Sequence, residues 1–387
     1  MKLVDCQFYV VKNQCPMKGG PHWYLVKLVS DDGIEGWGEM WWNGLSPQTF
    51  IKIAEEVADR FVMGQSPFHV EKMFQRFFKQ VCFQHSDLTK MGIWSGLEVA
   101  CWDIQGKASN RPVYELLGGL VNDKLRSYSY IYPEDPEANH MELWANPEAV
   151  AKRALDYVDQ GFTAIKLDPV DIDQEGIAPP WHASLPVLER AEKTIAAIRD
   201  AVGGKCDIII GTHGQYTAAS AVRFISRMEK YDPLWFEEPV PPENPTQMAR
   251  VNAVTRVPVA AGERLTTKYE LASLMTGGAA DIIQLDLGGV GGLLEAKKIA
   301  GMAEAFHMQI TPHFWAGPVM YAAQSQLAAC SPNFIIQEVI ERMDGFHAEL
   351  VKNPFIWDEG YMRPSELPGL GIEIDEKKVS EHSLDIS

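Results

Sequence analysis

The chain has 387 residues, 46% hydrophobic and 22% charged, a composition that suits a soluble globular protein with a large core and more than one structural unit. Its formal charge of −17 argues against a nucleic-acid or anionic-membrane surface, which would need an excess of Lys and Arg. It does not exclude an anionic substrate, because a bound cation can invert the local field of an acidic protein.

The segment from Met1 to Val10 lacks the basic start and long apolar run of a signal peptide, and no later run approaches membrane-spanning length. Residues 15–23, punctuated by Gly and Pro, read either as a lid loop over a site or as a plain surface loop, and contain His22 and Trp23. Residues 23–29 read as a strand, Asp31-Asp32-Gly33 as a turn and 34–40 as a returning strand, with aromatics gathered at Trp37, Trp41 and Trp42. Helical periodicity follows over 48–64, 69–82 and 91–108, so residues 1–124 are expected to form an α+β capping domain. Six cysteines, at 6, 15, 82, 101, 206 and 330, include no CxxC pair and read as reduced thiols of a cytoplasmic protein.

From residue 125 the pattern changes to short apolar runs separated by amphipathic helices. The runs are 127–132, 164–168, 207–211, 234–238, 257–263, 281–286, 308–313 and 334–338. Eight such strands predict a closed parallel barrel over 125–354, whose crossover helices cover the sheet. An open doubly wound sheet is the alternative, and it would want a Gly-rich phosphate turn that the sequence lacks.

Most of these strands end in a residue able to do chemistry: Lys166 and Asp168, then Glu237, Glu263, Asp286, His313 and Glu338. The last five are spaced by 26, 23, 27 and 25 residues, a steady strand-plus-helix period that sets them at one mouth of the barrel. Two carboxylates converging there, Glu237 and Glu263, repel unless a cation lies between them, and hard oxygen donors suit Mg²⁺; two solvated or Arg-paired surface carboxylates are the alternative. Asp286 on one nitrogen of His313 would fix its tautomer and leave the other nitrogen free as a base. His213, just past a strand end, reads as a second acid–base group, a metal ligand or a loop histidine without a role. Glu338 can bind a substrate carboxylate or an arginine, and Lys166 can stabilise an anion or pair with Asp168.

Ala100-Cys101-Trp102-Asp103-Ile104-Gln105-Gly106-Lys107, Arg111-Pro112 and Leu116-Leu117-Gly118-Gly119 resemble a helix signature of the enolase superfamily, in its mandelate racemase-like subgroup. The Glu-Glu-Pro, Gly-Glu-Arg, Gln-x-Asp, Pro-His and Gln-Glu patterns of the barrel follow in that group's order. The run from Pro368 to Ile374 resembles the segment that returns to the cap, here 355–387. The resemblance implies a modified TIM barrel of (β/α)7β type with an α+β cap, a Mg²⁺ ion and abstraction of the proton α to a carboxylate.

Within the subgroup the chain resembles galactonate- and mannonate-type sugar-acid dehydratases, which implies a small-molecule sugar-acid substrate and a symmetric homo-oligomer. The implied roles give His313, oriented by Asp286, the C2 proton, His213 the departing 3-hydroxyl, and Glu338 a place near the substrate carboxylate. The product would be a 2-keto-3-deoxy acid. His22, Trp23, Asp168, Trp181 and His182 are left as candidates for contacting the sugar.

Two positions depart from the pattern. The family's first metal-binding aspartate is Gly211 here, with Asp207 at the far end of the same strand, so His213 or a water would fill the gap or affinity would be weak. The second strand carries Lys166-Leu167-Asp168 in place of Lys-x-Lys, which disfavours a two-base racemase. An epimerase or cycloisomerase on the same scaffold, or a metal-poor relative that binds an acid sugar without converting it, are the alternatives.

Overall fold

The computed structural model describes residues 1–41, 44–135, 138–170 and 181–386, so Trp42 falls outside them. A three-stranded antiparallel sheet begins the chain: β1 (Leu3–Lys12), β2 (His22–Ser30) and β3 (Glu35–Met40). β2 and β3 form the expected hairpin, with Tyr24 opposite Met40 and Val29 opposite Glu35. β1 is an addition to the sequence reading. It is an edge strand with mostly half-covered side chains, and it carries no clean alternation to betray it.

The helix Leu88–Ser109 packs across this sheet. Asp87 caps its start by accepting from the Lys90 backbone N–H, and Asn110 ends it in a left-handed turn at φ 51°. It is buried on every face from Met91 to Gly106, because it lies between the cap sheet and the barrel. Gly38 and Gly96 let strand and helix touch backbone to backbone; a Cβ on Gly38 would stand 1.9 Å from the Gly96 carbonyl oxygen. Asp103 on this helix accepts from Trp37 N at 2.9 Å and from Leu370 N at 2.9 Å, so one buried carboxylate ties the returning C-terminal segment to the cap.

Eight parallel strands follow in chain order: β4 (Leu125–Tyr130), β5 (Ala164–Leu167), β6 (Asp207–Gly211), β7 (Trp235–Glu237), β8 (Val259–Ala261), β9 (Ile282–Ile283), β10 (Gln309–Ile310) and β11 (Gln337–Val339). β11 pairs with β4, and an Ile310–Phe334 bridge joins the remaining edge, so the sheet closes into a barrel and the open alternative is excluded. Tyr128, Ile209, Trp235 and Ile336 belong to a fully buried cluster that fills its interior. The tail touches the barrel on its way to the cap. Met362 and Tyr361 first pair antiparallel with Leu125 and Arg126 of β4; the chain then meets the cap at Gly369 and Leu370, and the helix Glu376–His382 follows, where Glu376 meets Lys27 at 2.5 Å.

The cap reaches over the carboxyl mouth of the barrel through residues 13–21. Asn13 holds this loop in shape by donating to the carbonyls of Cys15, Lys18 and Gly20. Lys18 pairs with Glu341 beyond β11 at 2.6 Å, and a Cβ on Gly19 would lie 2.6 Å from the Ala316 oxygen. The expected lid is therefore seated on the barrel, and its Met17 faces the cavity beneath.

Candidate active site

The strand ends open into a cavity of 450 Å³. Asp168, His213, Glu263, Arg264 and His313 line it from the barrel, and Trp41 lines it from the cap. Tyr130, Tyr132, His140 and Trp144 add an aromatic wall that sequence reasoning missed. Its signal was available in the aromatics ending β4 and in the short helix His140–Ala145 that follows.

His313 and Asp286 stand on neighbouring strand ends, joined by a parallel bridge. Asp286 divides its carboxylate between two tasks: Oδ1 accepts from Gly289 N at 3.0 Å, and Oδ2 meets His313 Nδ1 at 2.6 Å. That partner assigns a proton to Nδ1 and turns Nε2 toward the cavity, 3.8 Å from Glu263 Oε2. Burial works against the imidazolium, yet Glu263, the bond to Asp286 and Glu338 raise its pKa to about 10.

His213 faces the same carboxylate from another side. Its backbone is held at φ +46°, and Gly214 after it is also left-handed. Nε2 is 3.9 Å from Glu263 Oε1, and Nδ1 is 2.9 Å from Asp168 Oδ2. The Nδ1 contact is electrostatic only: the atom is buried without an aligned hydrogen-bond partner. Burial again opposes the charge, while Asp168 and then Glu263 raise the pKa to about 9. Against its own burial, Glu263 is held down at about 2 by His313 and His213.

Beneath the cavity lies a second layer of charge. Lys166 is wholly buried and pairs with Glu237 and, at 3.2 Å, with Glu338. Burial alone would depress the ammonium, but those two carboxylates hold its pKa well above the usual lysine value. This corrects the reading in which Lys166 pairs with Asp168, since the barrel interior offers it two carboxylates at contact distance. Glu237 also accepts from Trp235 Nε1 at 3.1 Å and Gln284 Nε2 at 2.8 Å. Glu338 accepts from the Phe314 backbone N–H at 2.9 Å, so the structure engages it with Lys166 and the chain after His313, and no arginine is its partner among the described residues.

The sugar-contact candidates divide. Asp168 lines the cavity, held by Tyr130 Oη at 3.1 Å. Trp23 does not; it is buried, donates to the Gly19 carbonyl at 2.8 Å and stacks on Phe346, so it anchors the loop from below. His22 borders a small adjoining pocket. Trp181 packs on Tyr216 and His182 lies beside Arg223, both away from the cavity wall.

A closed parallel barrel with a carboxylate- and imidazole-lined mouth under an α+β cap defines an acid–base enzyme of the barrel class. The Mandelate racemase / muconate lactonizing enzyme N-terminal domain matches residues 20–118, and the Enolase C-terminal domain-like family matches 149–378. The chain belongs to the enolase superfamily, in its mandelate racemase/muconate lactonizing enzyme group. It is 35% identical to a D-galactonate dehydratase of Ralstonia nicotianae over 372 residues, 94% of this chain and 91% of the relative. It is 30% identical to a D-xylonate dehydratase of Haloferax volcanii, covering 99% of this chain and 89% of the relative. A mandelate racemase/muconate lactonizing enzyme structure from Sulfitobacter sp. superposes with a TM-score of 0.94 at 44% identity, covering 100% and 96% of the two chains.

Members of this superfamily use Mg²⁺ in catalysis. Asp168, Glu237 and Glu263 carry the carboxylate oxygens a hard divalent ion prefers, and Glu263 keeps a buried Oε2 without a hydrogen-bond partner, but the three do not converge as a site for one. Among the described residues, no three His, Cys, Asp or Glu side chains already stand as a ligand set. Lys166 takes up Glu237, and His213 stands between Asp168 and Glu263. The carboxylates are thus neutralised in pairs by the protein's own cations.

Proposed function

We propose that the protein dehydrates a sugar acid of the aldonic or aldaric class to a 2-keto-3-deoxy acid. The observation that carries this reading is the approach of two imidazole Nε2 atoms, from His313 and His213, to within 3.8 and 3.9 Å of the one carboxylate of Glu263. An acid and a base facing one spot is what elimination of adjacent C–H and C–OH bonds requires. The dehydratase relatives support the same reaction class.

In this reading the neutral form of His313, a minority below its pKa of about 10, takes the C2 proton on Nε2 while Asp286 steadies the imidazolium that forms. His213 gives its proton to the 3-hydroxyl, which leaves as water, and the enol becomes the ketone. Arg264, whose Nη2 has no hydrogen-bond partner among the described residues, lines the cavity and can receive the substrate's negative charge. Tyr130, Trp144 and Trp41 keep bulk water from the reacting carbons. A Mg²⁺ ion, with Glu237 and Glu263 among its ligands, would supply the positive charge that stabilises an enediolate, in place of the positive charge the two imidazoliums now bring to Glu263. Six free cysteines, four of them buried, suit a reducing cytoplasm, and a symmetric homo-oligomer is the assembly expected.

The test is incubation with a panel of aldonic and aldaric acids and Mg²⁺, assayed for 2-keto acid. Keto product from one or a few acids is expected. Solvent deuterium entering recovered acid with no keto product from any would overturn dehydration and favour an epimerase.

A further inference from the structure

The groups that break bonds do not account for the rest of a sugar acid. With C2 at His313 and C3 at His213, the carbons beyond C3 lie along the remaining cavity wall, and each of their hydroxyls gives up water to enter. Much of that wall offers them nothing in return. Met17, Leu88, Met141 and Phe314 present only carbon and sulfur. Tyr130 spends its hydroxyl on Asp168, and Trp144 spends its indole N–H on the Ile131 carbonyl at 2.7 Å.

His140 lines the same cavity and differs from these. It opens the helix His140–Ala145, whose Asn139 cap accepts from the Met141 backbone N–H at 2.9 Å, so backbone sets its position. Its ring meets Trp144 edge-on at 4.6 Å between centroids, and Trp144 stacks on Tyr130 at 5.3 Å. This packing holds the ring but leaves Nδ1 buried with no hydrogen-bond partner among the described residues. A buried polar atom without a partner costs free energy until something satisfies it. Burial also holds the ring's pKa below 6.5 against the pull of Asp168, so at neutral pH one nitrogen carries a proton and the other a lone pair. A group that can both give and take a hydrogen bond matches a hydroxyl, which does the same.

We propose that His140 is a specificity-determining residue that hydrogen-bonds a hydroxyl of the sugar acid beyond C3. The inference rests on the proposed sugar-acid reading and deepens it, because it requires a substrate hydroxylated beyond the two reacting carbons. His140 touches no reacting atom; it sets which acid is held.

The experiment compares the full-length wild type with His140→Phe and His140→Gln. Each is given the tightest-binding acid of the panel and its analogues deoxygenated singly at each carbon beyond C3, with Kd read by calorimetry and KM and kcat by keto product. His140→Phe keeps a ring against Trp144 and loses both nitrogens, whereas His140→Gln keeps a donor and an acceptor. In His140→Phe, Kd and KM for the parent acid are expected to rise at least about tenfold while kcat falls less than about threefold, with a smaller loss in His140→Gln. On one deoxy analogue the wild type and His140→Phe are expected to bind alike, because the hydroxyl that His140 serves is already gone. Unchanged Kd in His140→Phe, equal losses in the two variants, or the same loss on every analogue overturns the assignment. Keto product from a wild type whose binding ignores His140 sinks only this inference. Acids that bind through His140 without yielding keto product sink only the dehydratase reading, and no binding of any acid sinks both.

Discussion

The two histidine–aspartate pairs of the barrel mouth differ in how they are built. Asp286 and His313 sit on neighbouring strand ends, share a backbone bridge and meet at 2.6 Å, and Asp286 is itself tied to Gly289 N. Asp168 and His213 meet at 2.9 Å without a hydrogen bond, on a backbone at positive φ and with His213 36% exposed. Above the first pair the cap loop is pinned through Lys18 and Glu341. A proton-abstracting base gains from fixed geometry, and the first pair supplies it. The second pair has donors left over, as a place for something yet to bind would have.

If the first pair is the base, breaking it should have the largest effect. His313→Asn, measured as kcat on the best sugar acid, is expected to lose on the order of 10²–10⁴-fold, with C2 hydrogen exchange lost to the same degree. A smaller effect probes the packing under this half. His347, 4% exposed, bonds the Ala316 carbonyl at 3.0 Å through Nε2 and packs at a tilt against Trp23. Burial lowers its pKa from 6.5 to about 4. The folded protein thus holds the neutral ring while the unfolded chain takes up a proton below 6.5. The resulting stability is fully present above that pH and is lost as pH falls toward 4, by roughly 3 kcal/mol. Urea midpoints at pH 7.5 and 5 should therefore fall less on acidification in His347→Gln than in the wild type. The smallest effect is expected at the lid. Lys18→Met removes a partly exposed ion pair worth about 1 kcal/mol or less, so KM should rise a few-fold with kcat nearly unchanged.

The rigid half was legible in the sequence and the open half was not. The ring from Glu237 to Glu338 could be read because each residue ends a strand at a regular spacing, and strand ends share one face of a barrel. The motif around Asp103 was visible as a pattern, but its task of tying Trp37 to Leu370 depends on a contact across 267 residues. Gly211 looked like a missing ligand. That the Asp168 carboxylate occupies the space a side chain there would use could not be seen, since the two lie on different strands and only the barrel's register brings Leu167 beside Ile210. Lys166 illustrates the same limit: its charge was evident, but its two carboxylate partners come from β7 and β11.

The central claim is a division of labour, with His313 breaking the C2–H bond and His213 expelling the 3-hydroxyl. It is tested most directly by His213→Gln in deuterated water with the preferred sugar acid, following deuterium at C2 by NMR alongside the keto product. The account predicts that deuterium still enters the recovered acid while keto product falls by about 10²-fold or more. Keto product at the wild-type rate, or loss of exchange together with product in a folded variant, would contradict it.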